Sequence, residues 1–270
     1  MKTTLSAQES KLLMKLAWNT KRIVKLDEII QILKVSRNYA YKIASVLCDK
    51  RWFERLKSGS YQVIPLEGGP KRVSEMNPYV MGGLLDEPYF FSYATANTHY
   101  GFSVQVYTTL FVALKRQRRT ISLKGVNIQF VTLPKSKFFG FREANVMGEK
   151  VQMAELEKAL LDSLDKPQYA GGIEEIFAVF DRAKGEIDSC KLVDYALRFG
   201  TISLLQRLGF LIDFQKLTVP KGIRKKLLDE VKEKAQLIPL ATPTRFGSNG
   251  EISGDWLVIQ NVPEKLLKNY

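Results

Sequence analysis

The chain has 270 residues, 45% of them apolar and 26% charged. This is the composition of a folded globular protein and excludes wholesale disorder. The length suits one large or two ordinary domains, with a core that needs no disulfide or metal. Its formal net charge is +13, and residues 1–72 hold 15 Lys and Arg against 6 Asp and Glu. A basic excess gathered in one quarter of the chain is the footprint of a nucleic-acid partner, although an anionic membrane attracts the same charge. The two cysteines, Cys48 and Cys190, have no second Cys or His nearby. That spacing excludes a disulfide framework or a zinc site and fits a reducing compartment. The first residues lack the apolar stretch of a signal peptide, and no apolar run reaches the ~18 residues of a membrane span. A cytoplasmic protein with no membrane partner is the expectation.

In chain order, Ser6 with Glu9 forms a capping box, and Leu12, Leu13, Leu16 and Ala17 follow at helical spacing through Trp18. Residues 23–26 read as extended, and Asp27 opens a second helix with Ile29, Ile30 and Leu33 inward. Lys34 and Val35 form a tight connection. Ser36 caps a third helix running to Asp49, with Ala40, Ile43, Ala44 and Leu47 on its apolar stripe. Arg37, Asn38, Tyr41, Lys42 and Ser45 form the opposite stripe. Extended runs at 52–56 and 61–64, joined across Gly59, predict a hairpin. This order predicts a winged helix-turn-helix over residues 1–65, whose third helix enters the major groove of double-stranded DNA. Arg37 suits guanine and Asn38 adenine, while Lys42, Arg55 and Lys57 suit phosphates, with Ser36 and Ser58 at the same surface. The alternative is a solvated helix face in a module that mediates protein contacts.

Residues 66–75 read as a linker, and residues 76–270 as an α+β domain. A short helix starts at Pro78 and another covers 92–100. Strands are predicted at 107–114, 120–123, 126–133 and 150–152. Helices follow at 154–164, 173–184, 189–199, 202–213 and 222–236, with a last strand at 256–259. Between two strands, Lys115, Arg116, Arg118 and Arg119 form a solvated run or a second set of phosphate contacts.

Catalytic signals are few. His99 is the only histidine, and phosphate-loop, dinucleotide and nucleophile-elbow motifs are missing. Glu155, Glu157 and Asp162 could hold a divalent ion in a nuclease-like pair. Their spacing instead fits a helix with Leu156, Leu160, Leu161 and Leu164 on its apolar face. No catalytic residue, metal or cofactor is expected.

Three ordered motifs resemble a known family. Residues 157–162 (Glu-Lys-Ala-Leu-Leu-Asp), 167–172 (Pro-Gln-Tyr-Ala-Gly-Gly) and 206–212 (Gln-Arg-Leu-Gly-Phe-Leu-Ile) resemble the AbiEi antitoxins of type IV toxin–antitoxin systems. Residues 94–102, with His99, are similar to an earlier family segment. The chain departs from the family at Lys158, where Arg is usual, at the inserted Tyr100, and after Lys216. The resemblance implies a winged helix that binds promoter repeats and a C-terminal antitoxin-type domain. It also implies a transcriptional autorepressor and antitoxin whose functional partner is a cognate nucleotidyltransferase toxin. The motifs have a structural reading as well: an amphipathic helix start, a turn through Gly171 and Gly172 with positive φ, and a helix end at Arg207-Leu208-Gly209. Two other readings stay open, a winged-helix regulator whose second domain senses a ligand and a metal-dependent DNA-processing enzyme.

Overall fold

Helix α1 (Ala7–Trp18) begins where its sequence provides a cap. The Glu9 amide donates to Ser6 Oγ at 3.3 Å, and the Ser6 amide donates to Glu9 Oε2 at 2.7 Å. These two bonds satisfy orphan donors that would otherwise fray the first turn. In the computed structural model, which describes residues 4–64, 77–85, 87–123, 125–146 and 148–268, α1 leads into β1 (Ile23–Lys25), α2 (Leu26–Leu33) and α3 (Arg37–Asp49). Strands β2 (Phe53–Lys57) and β3 (Ser60–Val63) follow. The sheet order is β1-β3-β2 and both pairings are antiparallel, with Val24 opposite Tyr61 and Phe53 opposite Val63. One stripe from each helix closes on this sheet: Leu12 and Leu16, Ile29 and Leu33, then Ile43, Ala44 and Leu47, against Trp52, Phe53 and Tyr61. The predicted 66–75 linker lies outside the described residues.

The chain divides into two compact units, Met1–Asp86 with Asn145–Val151, and Glu87–Ala144 with Gln152–Tyr270. This differs from a second domain running unbroken from residue 76. The 3-10 helix Pro78–Leu84 groups with the first unit, as do residues 145–151. Within that unit Asn77 Nδ2 donates to the Val146 carbonyl at 3.0 Å, and Arg22 lies 3.9 Å from Glu149. Such long-range contacts leave no mark on local composition.

A six-stranded mixed sheet contains β4 (Tyr89–Phe91), β5 (Thr109–Leu114), β6 (Ile121–Leu123), β7 (Val126–Thr132), β8 (Phe141–Val146) and β9 (Glu149–Ala154), in the order β6-β7-β5-β4-β9-β8. Strand β5 runs parallel to β7 over six residue pairs and is buried from Leu110 to Leu114, as an inner strand with neighbours on both sides demands. The predicted helix at 92–100 is shorter than its propensity suggests. Tyr93 takes φ +57°, so α4 spans only Ala94–His99. Strands β4 and β8 present no readable pattern in the sequence, because β4 is only three residues long and β8 alternates with charged residues.

The helical layer consists of α5 (Leu156–Asp165), α6 (Ile173–Ala183), α7 (Ser189–Phe199), α8 (Ile202–Gln215) and α9 (Lys221–Lys234) around one large apolar core. Gly171 and Gly172 take φ of +81° and +94° ahead of α6, the conformation their side-chain-free backbone allows. Helix α5 is buried from Glu157 through Leu164, so it is a core helix rather than an amphipathic one. Arg207-Leu208-Gly209 lies inside α8 and does not end it. After α9 come β10 (Ile238–Pro239), α10 (Pro243–Phe246), β11 (Glu251–Ser253), β12 (Val258–Gln260) and α11 (Glu264–Lys268), with a small sheet ordered β10-β12-β11. No helix among the described residues is long and apolar enough to cross a membrane.

Candidate nucleic-acid interface

Helix α3 starts at a serine cap, where Ser36 Oγ accepts the Tyr39 amide at 3.4 Å. The Ser36 hydroxyl therefore has an intrahelical role. Its apolar stripe is buried, which turns Arg37, Asn38, Lys42 and Ser45 to the surface and leaves Tyr41 half-buried. Tyr39 is exposed on the same first turn, although it lies off the i, i+3, i+4 stripe through Arg37, Asn38 and Tyr41.

The β2–β3 turn packs against this helix pair. Gly59 takes φ +72°, its carbonyl accepts the Leu26 amide at 2.8 Å, and an added Cβ would meet Leu26 Cβ at 3.8 Å and Tyr41 Oη at 3.9 Å. The turn thus sits beside α2 and α3, with Arg55, Lys57 and Ser58 all exposed. Lys57 differs from the other cations. Its Nζ donates to the Leu84 carbonyl at 3.2 Å, at the end of the Pro78–Leu84 helix. Lys42 and Arg55 make no ion pair among the described residues. Arg37 is paired with Asp27 across 3.1 Å, and its guanidinium carbon lies 5.9 Å from the Tyr41 ring.

The second basic run belongs to the other unit, in the β5–β6 connection. Lys115 lies over Phe138 at 4.7 Å, and Arg118 sits over Phe130 at 5.5 Å while 3.5 Å from Glu87. Arg116 and Arg119 are exposed. Within this run the structure separates two cations held by neighbouring rings from two that point to solvent.

Glu155 and Glu157 share the Lys191 ammonium, at 3.5 and 2.9 Å, and Asp162 does not join them. Glu155 accepts the Tyr195 hydroxyl at 2.6 Å, and Glu157 accepts the Asp188 amide at 3.1 Å and pairs with Lys191 at 2.9 Å. Asp162 is buried elsewhere, against Lys158 and the Ser92 hydroxyl, which donates to Oδ2 at 2.6 Å. Burial pushes the Asp162 carboxyl up against the opposing pull of Lys158, and pushes the Lys158 ammonium down. Among the described residues no group of His, Cys, Asp and Glu could hold a metal ion. His99 is half-buried, and burial together with nearby Arg142 lowers its pKa.

No family model matches the chain, and no curated protein matches it. A solved structure, the crystal structure of RV2827C protein from Mycobacterium tuberculosis, is similar with a TM-score of 0.67. That alignment covers 98% of this chain and 95% of that one at 15% identity. At that identity the likeness is one of fold.

Proposed function

We propose that the chain is a winged-helix regulator that binds double-stranded DNA through α3 and the β2–β3 hairpin. The observation behind this reading is the first unit's topology together with its surface chemistry. Three helices are closed by a β1-β3-β2 antiparallel sheet, and α3 turns Arg37, Asn38, Lys42 and Ser45 outward beside a basic turn. A helix-turn-helix unit of this order places its third helix in the major groove, where arginine and asparagine pair with guanine and adenine edges. The hairpin supplies backbone contacts through Arg55.

Affinity of the full chain for duplex DNA is expected to fall steeply with salt, by roughly 0.9 in log K per log unit of salt for each phosphate neutralised. Lys42→Ala and Arg55→Ala are each expected to reduce that slope by about one unit while weakening all sequences alike. Lys57→Ala is expected to change it less, since its ammonium serves the Leu84 carbonyl. Anisotropy titrations over a salt series check this, and a flat salt dependence overturns the reading.

We further propose, from the resemblance of residues 157–162, 167–172 and 206–212 to AbiEi antitoxins, that the protein represses its own promoter and counteracts a nucleotidyltransferase toxin. In this reading Glu155, Glu157 and Asp162 carry no catalysis, each being engaged in a hydrogen bond or ion pair within the fold. Co-expression with a nucleotidyltransferase encoded beside it, scored by growth and by a promoter reporter, tests both roles. Unrelieved toxicity removes the antitoxin role, and an unrepressed reporter removes the repressor role.

A further inference from the structure

A carboxylate sits inside the basic face of the first unit. Asp27 occupies the first turn of α2, yet Glu28 does the capping there: Glu28 Oε2 accepts the Lys25 amide at 2.9 Å, and its other oxygen is paired with Lys21. Asp27 is left with its side chain 75% exposed and its Oδ1 on Arg37 Nη1 at 3.1 Å. The Tyr41 ring flanks the same guanidinium. Arg37, the first residue of α3, is thus steadied by two neighbours from two elements, while its Nε and Nη2 edge engages nothing among the described residues.

For plain phosphate affinity this arrangement is poor, because a carboxylate beside the groove-facing arginine repels the DNA backbone. For base reading it is favourable. Guanine O6 and N7 are met by two parallel donors of one guanidinium, and an arginine already held in place loses less rotamer freedom on forming them. We infer that Asp27 is a positioning residue that aims Arg37 at a guanine, giving up general affinity for preference at one base pair. This inference rests on the DNA-binding reading of the same face.

The experiment selects duplexes from a random library with the full chain. It then measures wild type, Arg37→Ala, Asp27→Ala and Asp27→Asn by anisotropy on the selected duplex and on single-base replacements. Arg37→Ala is expected to lose discrimination at one guanine, between about fivefold and about 150-fold. Asp27→Ala is expected to lose about two- to fivefold at that same position while binding unselected duplex as well as or better than wild type. Asp27→Asn, which keeps an acceptor but not the charge, is expected to match Asp27→Ala on unselected duplex and to retain more of the guanine preference. An unchanged unfolding midpoint keeps the comparison one of readout. If Arg37→Ala relaxes one position and Asp27→Ala relaxes none, the inference is overturned while the DNA-binding reading stands. If wild type enriches no duplex and shows no salt-dependent binding, the DNA-binding reading itself falls, and this inference with it.

Discussion

Asp162→Ala is expected to lower the unfolding free energy by about 3–5 kcal/mol, a large share of the total stability of an ordinary domain. Lys158 and Asp162 form an i,i+4 pair in α5 with both side chains wholly inaccessible to water. The ammonium lies between the rings of Phe199, Phe90 and Phe139, at 4.8, 5.1 and 5.5 Å. Gly140, with φ +68°, closes over the stem of Lys158, where an added Cβ would come within 3.1 Å of Lys158 Cβ. Removing the carboxylate strands a cation in an aromatic box and leaves the Ser92 hydroxyl without its acceptor. The double change Lys158→Met with Asp162→Asn removes both charges and keeps an acceptor for Ser92, so it is expected to recover most of the loss. Urea unfolding at constant m-value checks this. A loss below about 1 kcal/mol for Asp162→Ala would show that water reaches the pair.

Gly209→Ala is the second large expectation, and its sign is the informative part. In an exposed helix interior this change stabilises by about 1 kcal/mol, because alanine has the better helix propensity. In α8 the new methyl carbon would lie 2.1 Å from Trp256 Cε3 and 2.3 Å from Cδ2 and Cζ3. The ring has little room to move. Trp256 is completely buried, its Nε1 donates to Asp213 Oδ2 at 2.6 Å, and Arg224 lies over it at 5.3 Å. Gln206, one turn away, reaches the carbonyls of Gln236, Trp256 and Leu257 at 2.8–3.1 Å. Overpacking therefore outweighs propensity, and Gly209→Ala is expected to destabilise by about 1–3 kcal/mol or more. Trp256→Ala is expected to cost about 3–5 kcal/mol. Made in that background, Gly209→Ala is expected to turn neutral or stabilising, since the clash has gone. Thermal unfolding of the four proteins closes the cycle, and a stabilising Gly209→Ala single variant refutes the contact.

These two sites also explain motifs that the sequence presents without a reason. The Gln206 and Gly209 positions serve as the seat for Gln236, Trp256 and Leu257, which flank a stretch with no recognisable pattern of its own. Along the chain, Glu155, Glu157 and Asp162 fit a helix with ordinary i,i+3 and i,i+4 polar contacts, and nothing in that spacing marks Lys158 and Asp162 as buried. Their burial comes from Phe90 on β4, Phe139 and Gly140 ahead of β8, and Phe199 at the end of α7, all distant from α5 along the chain.

Features that depend on neighbours within about four residues are legible along the chain. The Ser6–Glu9 box, the Ser36 cap, the helical stripes of α1 to α3, the glycine turn at Gly59, and the helices α6 and α7 follow from capping and periodicity, which are local effects. The outward stripe of α3 was legible for the same reason, because burying Ala40, Ile43 and Leu47 forces its opposite face into solvent. The folded chain alone settles which of those surface groups are already engaged. Arg37 meets a carboxylate ten residues away, and Lys57 a carbonyl twenty-seven residues away. It also decided that strands as short as β4, β10 and β11 form at all, since two or three residues have no periodicity to read and exist as strands only through their partners. Whether a charge is solvated or sealed is set by the elements that fold over it, and no spacing along the chain encodes that.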